Sequence, residues 1–397
     1  MKILIINAGS SSIKYQLINI PEKKVICHGL VERIGESQGA IHFQSDDHQI
    51  DIALPIPNHK VGLEKIANLL LDAQKGVIQS VDEIEAVGHR VVHGGSHFMN
   101  PTVITAQVKM VIKSLFSLAP LHNPANLAGI EVAEKVFPNA KQVAVFDTAF
   151  HQTIPAVAYR YAIPNEFYEN ENIRLYGFHG TSHQYVSKKA IDYLDVKHSK
   201  IISIHLGNGC SMTAVQDGKS IDHSLGFGPM NGLIMGTRSG DIDQSVVLFL
   251  QQQLGYSSEE VSDILQKKSG MLGLTGSNDL RDIEAASAKG DKKAKLALAM
   301  NAYRIKKYIG SYATIMNGLD AIIFTAGIGE NSDVIRKMVC TDLDFLGISL
   351  DDKRNLIHSK DLRSIESPAS KVKILVIPTN EELEIAEQVF GVVGARN

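Results

Sequence analysis

Three cysteines in 397 residues, Cys27, Cys210 and Cys340, are too few and too widely spaced for a disulfide framework. No Cys-x-x-Cys pair marks a zinc site. Long apolar runs are missing as well. The opening Met1-Lys2-Ile3-Leu4-Ile5-Ile6-Asn7 turns polar after four apolar residues, too few for the core of a secretory signal, and no later stretch reaches bilayer length. The expected compartment is a reducing cytoplasm, with no membrane partner. Blocks of one charge are also absent: 40 Lys and Arg against 43 Asp and Glu leave a net −3. Phosphate backbones are gripped by clustered basic residues, so no nucleic-acid partner is expected.

The familiar nucleotide loops are lacking too. Gly218-Lys219-Ser220 resembles the end of a P-loop, but the earlier glycine is replaced by Thr213. Gly327-x-Gly329 ends in Ser332 where a dinucleotide fingerprint needs glycine. What is present is a chain with 44% hydrophobic and 21% charged residues, ordinary for a globular protein and long enough for two domains. Short apolar runs alternate with helical patterns, which gives an α/β class. The clearest strands are Ile3–Ile6, Val143–Phe146, Ile201–Ile204, Ala321–Phe324 and Val372–Ile377. Helical patterns cover Val61–Leu71, Asn126–Val136, Asp243–Leu254 and Lys293–Ile315.

One repeat organises this alternation. The segment from Lys2 to Ser11 resembles that from Lys200 to Gly209 at an offset of 200 − 2 = 198, half the chain. Lys, Ile, Ile and Gly are in register, and each copy reads strand, tight Gly loop, second strand (Ile13–Ile18 and Met212–Val215). A duplication is the expected origin.

Asn7-Ala8-Gly9-Ser10-Ser11-Ser12-Ile13-Lys14 is the strongest local signal. A glycine among small polar residues lets backbone N–H groups converge on an anion, with Ser10 and Ser12 as hydroxyl donors and Lys14 as a charge. The same residues read equally as a Ser-rich hairpin turn. The second β-loop and Phe324–Asn331, a strand running into a Gly-rich turn, suit a nucleotide held in a cleft between two similar halves.

Asn7–Lys14 together with His89-Arg90-Val91-Val92-His93-Gly94-Gly95 resembles the paired signature of the acetate kinase family. Further matches are His205–Gly209, Met235–Asp241, Asp279-Leu280-Arg281, Gly327–Asn331 and Asn380-Glu381-Glu382, in family order along nearly the whole chain. The resemblance implies the acetate and sugar kinase, Hsp70 and actin superfamily, with two duplicated ribonuclease-H-like domains. These would span 1–149 and 150–381, with a C-terminal helix, 382–397, returning to the first. It also implies ATP and ADP as co-substrates, acetate as acceptor, Mg²⁺ (or Mn²⁺ in its place) and a homodimer. Chain length favours acetate or propionate kinases over the shorter butyrate kinases.

The same resemblance distributes roles. Arg90 binds the substrate carboxylate, and Val92, Leu121, Phe178 and Pro229 form the acyl-methyl pocket, with His122 helping to orient substrate. Arg238 and His179 stabilise the transferring phosphoryl, and Asp147 has an acid–base role. Ser10, Ser12, Lys14, His205, Leu206, Gly207, Asn208, Gly209, Asp279, Leu280, Arg281, Gly327, Ile328, Gly329, Glu330 and Asn331 contact ATP. Asn7 and Glu381 are the metal-associated positions. On the residues alone other readings stay open: Arg90 and Arg238 as surface ion pairs, His179 as a packed or turn histidine, Glu381 and Glu382 as a helix's first turn, the four apolar residues as core. A zinc pair of His179 and His183 lacks a carboxylate or thiol. Acetate titrates near about pH 4 and is already ionised at neutral pH, so its nucleophile needs no base. Asp147 is therefore expected to position metal, water or Arg. The rival of another class, an ATP-driven conformational switch, needs no second anion site such as Arg90 and Arg238 provide.

Overall fold

The computed structural model describes residues 1–394; the last three positions expected in the C-terminal helix, 395–397, lie outside the described residues. Two compact units are present: Met1–Phe150 with the C-terminal segment from Asn380, and His151–Thr379. Glu381 is thus grouped with the first unit, whereas the sequence placed it at the end of the second segment.

In the first unit eight strands form one sheet: β1 (Lys2–Ala8), β2 (Ser12–Asn19), β3 (Lys24–Glu32), β4 (Gly39–Ser45), β5 (Gln49–Leu54), β6 (Ile84–Val91), β7 (Thr102–Val103) and β8 (Lys141–Phe146). Their spatial order is β5-β4-β3-β2-β1-β6-β8-β7. β1, β6 and β8 run parallel and the other pairings are antiparallel. Strand alternation sends Leu4 and Ile6 into the cluster that holds Leu63 and Ile66 of α1 (His59–Leu70) and Ala133 of α2 (Asn123–Val136). Ile3 and Ile5 turn to the opposite face, against Ile385, Ala386 and Val389 of the C-terminal helix (Glu381–Gly394). That helix crosses β6 closely at Gly88, where an added Cβ would lie 2.9 Å from both Ile5 and Val389.

The second unit repeats the plan with six strands: β9 (Lys200–Leu206), β10 (Cys210–Gln216), β11 (Lys219–His223), β12 (Ala321–Thr325), β13 (Arg363–Ser364) and β14 (Lys373–Val376). Their order, β11-β10-β9-β12-β14-β13, matches β3-β2-β1-β6-β8-β7 strand for strand, and β9, β12 and β14 are again parallel. The lengths differ, since β4 and β5 have no counterpart. Helices of this unit include α3 (Gly180–Leu194), α4 (Gln244–Gln252), α5 (Leu280–Ala288), α6 (Lys292–Ile315), α7 (Ala326–Asn331) and α8 (Asp333–Cys340). The Gly-rich segment expected to be a turn after β12 is a correction: it is helix α7. Gly329 lets it lie against its own strand, where an added Cβ would sit 3.3 Å from the Phe324 carbonyl carbon. Gly218, in the failed P-loop, sits at φ +76 in the β10–β11 hairpin turn. Among the described residues no helix is long and apolar enough to cross a membrane.

Candidate active site

Parallel strands buried on both faces expose their polar residues only at their ends, and their C-terminal ends collect ligands. In the first unit those ends carry Asn7 on β1, Arg90 on β6 and Asp147 just after β8. The Arg90 guanidinium lies side-on against Asp147, with Nε donating to Oδ1 at 2.9 Å and Nη2 donating to Oδ2 at 2.6 Å. Glu381, first residue of the C-terminal helix, brings a carboxylate oxygen 3.8 Å from Arg90 Nε. Burial pulls the Arg90 guanidinium down, but Asp147 and Glu381 outweigh it and leave its pKa raised. Burial pushes the Glu381 carboxyl up; Arg90 opposes this and Asp147 adds to it. Arg90 is therefore no surface ion pair, and Glu381 is both a helix start and a member of this cluster.

The loops beside the cluster are held by side-chain amides. Asn126 of α2 accepts from Val92 N–H at 3.1 Å and donates to the Ala8 carbonyl at 2.7 Å. Asn123 accepts from His93 N–H at 3.1 Å and donates to its carbonyl at 2.9 Å. In the β1–β2 loop Gly9 N–H donates to the Ser12 carbonyl at 2.8 Å, and His59 Nε2 lies 2.6 Å from the Gly9 carbonyl oxygen. Ser10 is exposed, Ser12 is half-buried, and Lys14 is ion-paired with Glu382. Leu121, 63% exposed, is no core residue, while Val92 and His122 are half-buried. Asn123, Asn126 and His59 were not singled out from the sequence. Their signal, amides beside Pro124 and a histidine opening α1, gains meaning only once the chain is folded.

In the second unit the β9–β10 loop, the start of α5 and helix α7 line a cavity of about 520 Å³. Of the sequence-derived nucleotide residues it brings together Gly207, Asn208, Asp279, Leu280, Arg281, Gly327, Ile328 and Asn331. Asn278, Glu284 and Ser332 also line it and were missed; Glu284 accepts from the Ser332 hydroxyl at 2.5 Å, and burial raises its pKa. Asp279 forms a fork with Arg281, whose hydrogen bond holds its carboxyl down at about 2. Leu206, Gly209, His205, Gly329 and Glu330 do not line this cavity. Leu206 is buried, and the Glu330 carboxylate accepts from Thr379 N–H at 3.1 Å.

Gly209 marks a second convergence. A Cβ built there would lie 3.5 Å from Nε2 of His179 and 3.8 Å from Nη1 of Arg238. His179 has φ 55, caps α3, and stacks on His205 with ring centroids 4.4 Å apart. Arg238 Nη1 donates to the Pro229 carbonyl at 2.9 Å. Its loop is fastened where Gly232 N–H donates to Asp241 Oδ1 at 2.7 Å, Tyr308 donates to Asp241 Oδ2 at 2.8 Å, and Arg304 donates to the Gly232 carbonyl at 2.7 Å. Gly236 presses on Asn208, whose Oδ1 would be 2.1 Å from an added Cβ. Among the described residues no carboxylate pairs with Arg238, and burial lowers its pKa, partly offset by Cys210. A half-buried guanidinium without an anion is costly unless a ligand supplies one. Phe178 is buried and Pro229 half-buried in this same unit.

Among the described residues no group of three or more His, Cys, Asp or Glu suits a metal. Asn7 and Glu381 offer hard oxygens beside Asp147, a set that suits a hydrated Mg²⁺ with few protein ligands. Asp147 and Glu382, the carboxylates beside Glu381, leave room for a cation's charge there.

Residues 2–387 match the family model described as the acetokinase family. The chain is 63% identical over 390 residues to an acetate kinase of Flavobacterium johnsoniae, covering 98% of this chain and 99% of that protein. It is 52% identical to an acetate kinase of Thermotoga maritima, covering 99% of each. Among solved structures, the acetate kinase of Porphyromonas gingivalis superposes with a TM-score of 0.94 at 44% identity, covering 99% of each chain. A propionate kinase from Francisella tularensis gives 0.92, also at 44% identity, covering 98% of this chain and 99% of that one.

The buried histidines set a pH response. Burial lowers the pKa values of His89, His93 and His151 to about 4, below the ordinary value of about 6.5. The folded state therefore favours their neutral form. The associated stability is full above about pH 6.5 and is lost as pH falls toward about 4. Urea midpoints are expected to drop between pH 7 and pH 5, with a shallower drop in His89→Gln; a flat profile in the unmodified protein contradicts this.

Proposed function

Since the chain belongs to the acetokinase family, we propose that it transfers the γ-phosphoryl group of ATP to acetate, reversibly and directly in line, giving acetyl phosphate and ADP. The observation that carries this reading is Arg238, a half-buried guanidinium with no carboxylate partner among the described residues, converging with His179 on Gly209. Phosphoryl transfer asks the protein for positioning and for positive charge around the equatorial oxygens, not for covalent chemistry. Arg238 supplies charge and His179 a hydrogen bond. The cavity beside Asn208 accommodates the nucleoside, with Gly207, Asp279, Arg281, Gly327 and Asn331 among its walls. The remaining motif residues, Ser10, Ser12, Lys14, His205, Leu206, Gly209, Leu280, Ile328, Gly329 and Glu330, contact or buttress the nucleotide.

Arg90 binds the acetate carboxylate. Asp147 occupies its Nε and Nη2 edge, so the Nη1 and Nη2 edge remains for a second bidentate contact. Both Asp147 oxygens are taken by Arg90, which argues for a positioning role and against proton removal from a substrate that has no proton to lose. Asn7 and Glu381 would hold Mg²⁺, or Mn²⁺ in its place, with water completing the shell; when bound, the ion neutralises phosphate charge. Val92, Leu121, Phe178 and Pro229 bound the methyl group, and His122 orients the acceptor. The unit of Met1–Phe150 with the segment from Asn380, Glu381 included, carries the acceptor end, and His151–Thr379 carries the nucleotide end. The compartment is the cytoplasm. The chain forms a homodimer, a reading supported by α4, which exposes Val246, Leu248 and Phe249 and buries none of its residues.

Propionate is the second acceptor to consider, because the P. gingivalis acetate kinase and the F. tularensis propionate kinase are equally identical to this chain, at 44%. One methylene changes binding in an apolar pocket by only about 1–3 kcal/mol.

Hydroxylamine trapping across acetate, propionate and butyrate tests the reaction. Acyl phosphate should form only when Mg²⁺, ATP and carboxylate are all present, most efficiently with acetate. Equal ATP turnover without a carboxylate contradicts the proposal.

Arg90→Ala is expected chiefly to raise the acetate KM, and Arg238→Ala chiefly to lower kcat. The first contact exists in ground and transition states alike, the second mainly in the transition state. Steady-state kinetics with the reverse pattern overturn this division.

Asp147→Asn should lower kcat by roughly two to three decades, as loss of a preorganised charged contact does. It should also raise the acetate KM by loosening Arg90, and weaken the Mg²⁺ dependence. A large solvent isotope effect on the chemical step of the unmodified enzyme, absent from the variant, would restore an acid–base role.

A further inference from the structure

Of the five imidazoles packed together in the second unit, only His179 and His205 enter the mechanism above. Two others serve the backbone. His223 Nε2 accepts from Phe178 N–H at 3.1 Å, so its proton sits on Nδ1 and is donated to Thr213 Oγ1 at 2.7 Å. His151 Nε2 faces the Phe178 carbonyl at 2.9 Å, so the proton is there and Nδ1 accepts from Ser220 at 2.9 Å. Burial keeps both rings neutral. Both polar groups of residue 178 are thereby held, immediately before His179 in its left-handed conformation.

The other contacts form a chain. His179 Nδ1 lies 2.9 Å from Ser211 Oγ, the same oxygen lies 2.7 Å from His183 Nε2, and His183 Nδ1 lies 2.8 Å from Ser203 Oγ. His183 is fully buried, and burial first, then the neighbouring histidines, hold its pKa well below the usual value. A neutral imidazole carries one N–H, and a serine hydroxyl donates only once. Ser211 is fully buried, and its hydroxyl has no partner among the described residues besides these two rings, so it donates to one and accepts from the other. With His183 and His179 both neutral, the bonds in the chain then point the same way. Either all protons are donated toward His179, leaving its own proton on Nε2, or all are donated away from it, leaving the proton on Nδ1.

The surroundings of His179 choose between these directions. Nδ1 is engaged by Ser211, while Nε2 is the nitrogen that approaches Gly209, which Arg238 Nη1 also approaches. Phosphoryl oxygens are acceptors and need an N–H at that edge. A positive charge on His179 is disfavoured by the guanidinium nearby and by the imidazoles packed around it. His205, stacked on the ring and bonded through Nδ1 to Ser182 Oγ at 2.9 Å, fixes the ring plane.

We propose that Ser203, His183 and Ser211 are positioning residues that donate in sequence toward His179 and so keep its proton on Nε2, facing the transferring phosphoryl group. The phosphoryl role of His179 rests on the function proposed above; the proton order is new. Hydrogen-bond partners of this kind fix tautomers of functional histidines, and their loss typically costs about 10–100-fold in activity.

The test joins spectroscopy to kinetics on the full chain. Long-range ¹H–¹⁵N spectra of ¹⁵N-histidine-labelled protein, with His179 assigned through His179→Gln, should show Nε2–H tautomers for both His179 and His183. Nδ1–H at either residue overturns the relay, and this measurement needs no relay variant to fold. Ser211→Ala should lower kcat about 10–100-fold with both KM values within about twofold, since positioning of a phosphoryl contact acts on the transition state. His183→Gln, whose amide still donates toward Ser211, should keep kcat within about threefold of the unmodified value. Unchanged kcat in Ser211→Ala, or a fall matched by rises in both KM values, overturns the proposal. If the unmodified protein forms no acyl phosphate, the function and the phosphoryl role fall together. Active enzyme with His179 as Nδ1–H removes the relay alone.

Discussion

Parallel pairing of β1 with β6 and β8, and of β9 with β12 and β14, is the constraint on which the chemistry depends. Strands covered on both faces must be apolar along their length, as Ile3–Ile6 and Ala321–Phe324 are. Polar side chains are then confined to strand ends and to the loops that leave them. Asn7, Arg90 and Asp147 stand side by side for this reason, although 140 positions (147 − 7) separate the first from the last. Nothing local to any of the three segments brings them together. The helix that closes the chain adds Glu381 to the same end because Ile385 and Val389 must be buried against β1 and β6, which fixes where the helix can begin.

Duplication supplied two copies of this scaffold, and the copies have diverged in what their ends carry. Topology is retained strand for strand, including the short antiparallel edge strands β7 and β13. In the first copy the ends carry charged groups already satisfied by one another. In the second, the β9 end carries His205 and Gly207, beside the helix-capping His179 and the loop bearing Arg238, which has no carboxylate partner among the described residues. Small residues there are a steric requirement: Gly236 and Asn208 touch so closely that any side chain at 236 would displace the loop bearing Arg238. In the reaction proposed for the chain, a common fold would thus serve a compact carboxylate at one site and an extended polyanion at the other.

The apolar strands, the half-chain repeat and the two β-loops were legible because each depends on local pattern: runs of Ile and Val, a glycine between small polar residues, a matching offset. The Gly-rich segment after β12 was misread as a turn, since glycines at 327 and 329 lower helix propensity. Close packing of α7 on its own strand overrides that propensity. The edge strands β5, β7, β11 and β13 were not anticipated, nor were β3, β4 and β6; β7 and β13 are only two residues long, and Gln49–Leu54 is largely exposed and mixes Asp with Ile and Leu. Asn126, His59, Glu284 and the serines around His183 were invisible as site residues. Each acts through a contact with a distant segment, and a lone amide or hydroxyl in sequence announces nothing about its partner.

The two arginines show how burial and pairing set different tasks for one side-chain type. Arg90 is held side-on by Asp147 with Glu381 nearby, so its charge is compensated before any substrate arrives. In the proposed reaction an acetate bound there would gain a modest contact that is nearly the same before and during transfer, because the carboxylate keeps most of its charge until the new P–O bond forms. Such a contact orients and retains the acceptor without selectively lowering the barrier. Arg238 faces the opposite balance. Its guanidinium is half-buried, bonded to a neutral carbonyl and to no carboxylate among the described residues, so it carries a desolvation cost that only an anion can offset. That offset is greatest when negative charge spreads over the equatorial oxygens of a phosphoryl group in flight. In the proposed reaction, pairing Arg90 in advance and leaving Arg238 without a carboxylate among the described residues would divide binding from acceleration, a division set by which carboxylates the fold places beside each guanidinium.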